Sequence, residues 1–293
     1  MTLNPAARPT TVAELLSVYL GQRPGVSSSK AWADITRTLK DFETHYGAEK
    51  LDGCFPFQIA TWLSSHPEWE SDWTRARAVR TVQRPFNWAV RLGLINRNPF
   101  GGFSVRSGRR GRPMTDDEFA AAVGHAGVEF RRVLRFLRYS GCRPCEAREL
   151  LWSHVNPEAG VAVLPIHKTE KTRRDRSPRV IICNAEVTDL LVEILEAGNT
   201  GDHVFLNKRG HPWTQNAFNL QVGRIRAKAG LPKDCKLYGL RHRFGTVAAL
   251  SGLDIKAISE LLGHTTTRMS EHYIHVAGNV GYLKRCLGKV EGL

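Results

Sequence analysis

Val161-Ala-Val-Leu-Pro-Ile166 and Val180-Ile-Ile-Cys183 are apolar, β-branched runs that lack the three-to-four spacing of a helix, and a basic stretch from Lys168 to Arg179 lies between them. Two such runs either side of a charged turn predict a hairpin, or the edge of a small antiparallel sheet. On both sides of them the apolar period is helical. Helices are expected at about 116–123, 127–140 and 145–151 before the sheet, and at about 185–197, 214–229, 239–251, 254–262 and 267–274 after it. Thr115-Asp-Asp-Glu118 has the form of a capping box and opens the series. The reading is of a mainly helical domain, 114–293, that holds one small antiparallel sheet.

Residues 1–104 read as a separate helical domain. Thr11-Val-Ala-Glu14 is a second capping box, and Ile35, Leu39, Phe42 and Tyr46 fall on one face of a period-3.6 helix. A third segment covers Phe57 to Leu63, and a fourth runs from about Asp72 to Leu92 with Arg75, Arg77, Arg80 and Arg84 along it. Residues 105–113 are rich in Gly and Arg and lack apolar periodicity, which makes them a linker. Its Arg106, Arg109, Arg110 and Arg112 are candidates to track a phosphate backbone.

Two domains suit a chain of 293 residues at roughly 150 residues per domain. The formal charge is +14, and it is uneven, with +3 on residues 1–104 and +11 on the remainder. Thirty of the 42 basic residues are Arg, whose planar fork pairs bidentately with phosphate, so the expected partner is nucleic acid. No window reaches the ~18 consecutive apolar residues of a membrane span, and the N-terminus has no signal core, which predicts a cytoplasmic protein without a membrane partner. Six scattered cysteines are too few for a disulfide scaffold and read as reduced thiols.

Three separated segments carry the chemistry: Tyr139-Ser-Gly-Cys-Arg143-Pro-Cys-Glu146, Tyr238-Gly-Leu-Arg241-His242, and Leu261-Leu-Gly-His264 with Tyr273 nine residues on. In this order and at these separations they resemble the signature of the tyrosine recombinases, the phage integrase family. Phe86-Asn87-Trp88-Ala89-Val90, Gly93-Leu-Ile95 and Asn98-Pro99 are similar to the last helix of that family's core-binding domain, so the likeness covers roughly residues 10–283. The resemblance implies a helical, SAM-like core-binding domain followed by an integrase-type α+β catalytic domain. It assigns Tyr273 as a nucleophile forming a 3′-phosphotyrosyl bond, Arg143 and Arg241 as a phosphate clamp, His264 as a phosphate donor and Glu146 as a supporting residue. The family's proton-donating Lys lies in the hairpin turn, where Lys168 is preferred over Lys171. Lys171, Arg173 and Arg174 are then expected to contact DNA.

Elementary chemistry agrees with that assignment. Phosphodiester cleavage needs an in-line nucleophile, charge for the pentavalent transition state and a proton for the leaving oxygen. Two Arg and a Tyr supply the first two without a metal or cofactor, and neither is expected here. Tyr238 stands where the family usually has His. A phenol is a poorer base at neutral pH than an imidazole, although its hydroxyl can still hydrogen-bond phosphate. His242 could substitute, but adjacent helical residues point ~100° apart, so a packing or capping role is expected for it. Cys142 and Cys145 lack the second ligand pair of a zinc site and are read as buried thiols.

The expected partners are double-stranded core sites, wrapped as by a clamp, with the protein a monomer when free and a homotetramer on two sites. Val280, Tyr282, Leu283, Leu287 and Val290 predict a tail helix that docks on a neighbouring protomer. A DNA-binding module without strand transfer, and a type IB topoisomerase-like relaxing enzyme, are the competing readings. The presence of Tyr273 with both arginines disfavours the first, and the helical domain with the His264–Tyr273 spacing disfavours the second.

Overall fold

The structure, a computed structural model, describes residues 8–24, 29–108, 111–165, 178–198 and 201–274. The chain divides into two compact units, 1–110 and 111–293.

In the first unit four helices, α1 (Val12–Gln22), α2 (Ser29–Tyr46), α3 (Pro56–Ser64) and α4 (Asp72–Arg91), enclose an aromatic core. The capping box at the start of α1 is formed: Thr11 Oγ1 accepts from the Glu14 amide, and Glu14 Oε2 accepts from the Thr11 amide. Ile35, Leu39 and Phe42 are buried on one face of α2, as their spacing requires. Phe100, beyond α4, closes the core edge-on against Phe42 and Phe86, with ring centroids 5.6 and 4.8 Å away. Gln83 ties that segment to α4 by donating to the Phe100 and Phe103 carbonyls at 2.8 and 2.7 Å. Helix α4 runs through Pro85, which lacks an amide; Val82, Phe86 and Ala89, all fully buried, hold both halves on the core.

The second unit begins with α5 (Asp116–Gly124), α6 (Val128–Ser140) and α7 (Pro144–Arg148). An antiparallel sheet follows, ordered β1 (Val155–Asn156), β2 (Val161–Leu164), β3 (Arg179–Ile182). Its register pairs Val161 with Ile182 and Leu164 with Arg179. The expected hairpin strands are therefore present, with a third, shorter strand beside them. Helices α8 (Ala185–Glu196), α9 (Gln215–Ala229), α10 (Tyr238–Leu250), α11 (Ile255–Leu262) and α12 (Glu271–Ile274) follow among the described residues. Helix α6 is central to the main core through Phe130, Val133, Leu134, Phe136 and Leu137.

Two helices are shorter than their periodicity suggests. Helix α7 stops at Arg148 because the next backbone groups are used elsewhere: the Leu150 carbonyl accepts from Val204 and the Trp152 amide donates to Asp202. The stretch 267–274 splits into a 3-10 turn, Thr267–Met269, and the four residues of α12, with the fully buried Ser270 between them. No described helix is long and apolar enough to cross a membrane.

Candidate active site

The Ser-Gly pair before Arg143 is a helix terminus. Helix α6 ends at Ser140, and Gly141 caps it at φ 63°, where a Cβ would lie 2.5 Å from the Phe244 ring of α10. The chain then turns so that Arg143 is the N-cap of α7. Glu146 serves Arg143 twice, accepting from its amide at 2.8 Å and from Nη1 at 2.7 Å. The acidic residue three positions on is thus the far half of a helix cap.

The C-terminus of α11 organises the site. The last carbonyls of a helix lack intrahelical partners and carry the negative end of its dipole. Three guanidinium groups meet them. Arg179 donates to the Glu260 and Leu261 carbonyls at 3.3 and 2.7 Å, Arg241 to Leu262 at 2.5 Å, and Arg143 to Gly263 at 2.9 Å. Arg241 also donates to the Gly141 carbonyl at 3.0 Å, joining the end of α6 to the end of α11 through one side chain. Gly263 is required twice over: its φ is +62°, and a Cβ there would stand 2.6 Å from Arg179 Cδ and Nε.

These arginines are 5 %, 2 % and 1 % exposed for Arg143, Arg179 and Arg241. Burial pushes the Arg179 and Arg241 guanidiniums below their usual basicity, and for Arg241 the charge of Arg143 adds to the effect. Burial opposes the charged form of Arg143 too, but the Glu146 carboxylate outweighs it and raises the Arg143 value. Glu146 is itself held below the usual carboxylate range by Arg179 and Arg143 in spite of its burial. The Nε atoms of Arg179 and Arg241 are buried without a hydrogen-bond partner among the described residues, but that of Arg179 is ion-paired with Glu146 Oε2 at 3.6 Å. The Arg241 Nε is a buried donor of the kind that suits an anionic ligand.

His264 follows directly. Its amide donates to the Ser259 carbonyl at 2.8 Å, and Nδ1 lies 2.6 Å from Ser270 Oγ. Ser270 Oγ is in turn 2.8 Å from the Ser259 hydroxyl, so the imidazole is held by a buried serine pair. Tyr273 lies 2 % exposed, with its ring parallel to that of His264 at a centroid distance of 6.5 Å. Burial pushes its phenol up to about 12, against the pull of Arg241. The phenol oxygen is 3.2 Å from His242 Nδ1. That contact adds a polar partner to the packing or capping role expected of His242. Arg241 and His242 do point apart, but each turns toward a different part of the same site.

Arg143, Glu146, Arg241, His264 and Tyr273 are therefore assembled in one unit, although they are spread over more than 100 residues of sequence. Tyr238 opens α10 and is 42 % exposed, with its ring 5.9 Å from the Arg241 guanidinium and 5.2 Å from the His242 ring. Arg179, counted in the sequence as the end of the basic stretch between the two strands, is a buried member of the cluster and opens β3. The signal was available in the period of two: Arg179 and Ile181 share the inward face of β3, while Val180 and Ile182 face out. Lys168, Lys171, Arg173 and Arg174 lie outside the described residues, as do Arg109, Arg110 and the tail after Ile274. Arg106 is exposed, whereas Arg112 is bound to Glu118 and Asp234 at 2.5 and 2.9 Å. Cys142 is fully buried and its thiol is pushed up to about 12, while Cys145 is half-buried. Among the described residues no group of His, Cys, Asp and Glu is placed to hold a metal.

In the first unit, Arg77, Arg80, Arg84 and Arg91 line an open groove along α4 together with Thr81, Gln83 and Asn87. Arg75 is half-buried and stands outside that lining.

The profile of the phage integrase family matches residues 115–279. A tyrosine recombinase XerC of Rhodospirillum centenum is 29 % identical over 214 residues, 69 % of this chain, and the match spans 62 % of that relative's length. A tyrosine recombinase of Thermosipho africanus is 25 % identical over 210 residues, covering 70 % of this chain and 72 % of the relative. The integrase of transposon Tn1549, solved in complex with transposon right-end DNA, superposes with a TM-score of 0.74 at 19 % identity, covering 90 % of this chain and 94 % of that one. A lambda integrase tetramer bound to a Holliday junction gives 0.73 at 17 % identity, covering 90 % and 77 %. These structures share the fold: a mainly helical chain with a small antiparallel sheet. The profile covers more than half of the chain and includes every signature residue that the fold brings together, so the chain belongs to the phage integrase family, the tyrosine recombinases.

Proposed function

We propose that this protein is a site-specific recombinase that cleaves and rejoins double-stranded DNA through a 3′-phosphotyrosyl intermediate at Tyr273. The observation that carries the reading is the gathering of Arg143, Arg241 and His264 around the C-terminus of α11, with Tyr273 packed beside them. Arg143 and Arg241 each spend one Nη hydrogen on a carbonyl at the end of α11 and so present the rest of a rigidly oriented fork to the non-bridging phosphate oxygens. His264 adds a ring donor to the phosphate. Tyr273 supplies the oxygen that displaces the 5′ oxygen, and Lys168, in the sequence between β2 and β3, protonates that leaving group. The charge comes from side chains, so no metal ion enters the scheme. Arg106, Arg109 and Arg110, with Lys171, Arg173 and Arg174, contact the DNA backbone. Arg112 shares that basic linker but is held by two carboxylates.

The protein acts on paired core sites as a homotetramer in integration, excision or resolution, and is a monomer when free. The relatives solved with transposon-end DNA and on a Holliday junction support that substrate and that assembly. Trapping tests the chemistry. Wild-type protein is incubated with nicked duplexes made from genomic fragments, in chelator, and protein–DNA adducts are sequenced. Adducts are expected from the wild type and none from Tyr273→Phe, which keeps DNA binding. Adducts in the Phe variant, or a strict magnesium requirement, overturn the mechanism.

A further inference from the structure

Tyr273 needs a base, and the residue at the usual place for one is Tyr238. A phenol at neutral pH donates a hydrogen bond but does not take a proton readily. The structure places an imidazole at the reacting oxygen instead, with His242 Nδ1 3.2 Å from the Tyr273 hydroxyl. We propose that His242 is a catalytic residue that accepts the Tyr273 proton through Nδ1 during cleavage and returns it during rejoining.

The contact is built into α10. Tyr238, His242 and Gly245 recur at i, i+4 and i+7, which makes a single stripe on the helix. Gly245 lets the nucleophile's ring lie on the helix, since a Cβ there would stand 2.6 Å from Tyr273 Cζ. Tyr238 meets the imidazole edge-on, with ring centroids 5.2 Å apart, and limits its rotation. Gly111 lies near the other nitrogen, where a Cβ would be 3.6 Å from Nε2, while Nδ1 faces the phenol. Burial that pushes the phenol up to about 12 makes spontaneous ionisation rarer and an adjacent acceptor more valuable.

The step balances. The Tyr273 O–H bond breaks and its proton passes to Nδ1. The oxygen electron pair forms the bond to phosphorus, and the bond from phosphorus to the 5′ oxygen breaks, that oxygen taking its proton from Lys168. In rejoining, the 5′ hydroxyl attacks phosphorus, its proton returning to Lys168, and the departing phenolate recovers its proton from His242.

The inference rests on the proposed recombinase chemistry, and the test separates the two. Single-turnover cleavage is followed on a nicked duplex recovered by wild-type trapping. Asn at 242 can hydrogen-bond the phenol but cannot carry its proton. His242→Asn and His242→Ala are each expected to cut slower by about 10²–10³-fold, with duplex affinity within about threefold of wild type. His242→Gln, closer in bulk to the imidazole, gives the same loss and guards against a folding defect in the smaller variants. Tyr238→Phe removes the other candidate acceptor while keeping the ring against His242, and is expected to lose at least about tenfold less cleavage than His242→Asn. Cleavage within tenfold of wild type by His242→Asn reduces His242 to holding Tyr273 in place and overturns the proposal, as does a Tyr238→Phe loss equal to that of His242→Asn. Either result leaves Tyr273 adducts, and hence the recombinase reading, intact. Absence of adducts from the wild type removes both.

Discussion

The arginines of α4 and those around the C-terminus of α11 carry the same charge under opposite conditions. Arg80, Arg84 and Arg91 are exposed along an open groove, where water screens each one and a bound phosphate would exchange with counterions. Arg143, Arg179 and Arg241 are buried, and their positions are set by helix carbonyls and by Glu146. A guanidinium of the first kind suits affinity spread over many phosphates. One of the second kind suits a single charge that must be met at a defined place, because its desolvation and orientation are complete before substrate arrives.

The contrast is broken most directly by exchanging Arg for Lys in both places. In the buried cluster a lysine offers one point charge in place of the fork by which Arg143 reaches Glu146 and Gly263 together. Arg143→Lys is therefore expected to slow cleavage by about 10²–10³-fold, whereas Arg80→Lys changes affinity by less than about threefold. Single-turnover rates beside binding isotherms decide this; equal effects would end the distinction.

Glycines give the next largest effect. Gly263→Ala meets both a left-handed backbone and the Arg179 side chain, so it should cost about 2–4 kcal/mol in denaturant unfolding. Gly93→Ala in the first unit has φ +69° but nothing within 4 Å of its Cβ, and should cost only about 1 kcal/mol. Similar losses would mean that Arg179 moves aside freely.

Salt dependence sharpens the comparison further. Replacing Arg80, Arg84 and Arg91 by Ala should flatten the log–log salt slope of DNA binding by about 0.9 for each phosphate that is no longer neutralised. Arg179→Met should leave that slope unchanged, since its guanidinium is 2 % exposed. A slope that falls equally in both would place Arg179 on the DNA backbone.

The smallest effect concerns Arg112, which stands between the two kinds. Its guanidinium holds the Glu118 carboxyl down to about 2 from an ordinary 4.5. A depressed carboxyl stabilises the fold above its unfolded value and loses that contribution as pH falls through its folded one. Wild type should therefore exceed Glu118→Gln by about 1 kcal/mol near neutral pH, and the difference should shrink between pH 4.5 and about 2 in a melting series. A pH-independent difference would assign the effect to packing.

Both capping boxes, the hairpin strands and the helical face of α2 were legible in the chain because they depend on neighbours within one or two turns. The signature residues were legible as a set for another reason: their types and order match a known family. The role of Glu146 as a cap was half visible in its spacing from Arg143. The burial of Arg179 is hidden when charge is weighed ahead of strand period.

Other features depend on pairs of residues that sequence spacing does not reveal. Nothing local to Gly141 indicates that Phe244 lies 2.5 Å from where its Cβ would be, or that its carbonyl takes a hydrogen bond from Arg241. Nothing local to α11 shows that the carbonyls at its end are met by arginines from three other elements. In the sequence His242 is only the neighbour of a signature arginine; α12 brings Tyr273 across Gly245 to meet it. Caps, periods and charge are properties of short segments and follow from residue order alone. Burial of a guanidinium and the meeting of a phenol with an imidazole require surfaces from distant segments to exclude water together, and folding of the whole unit is what creates them.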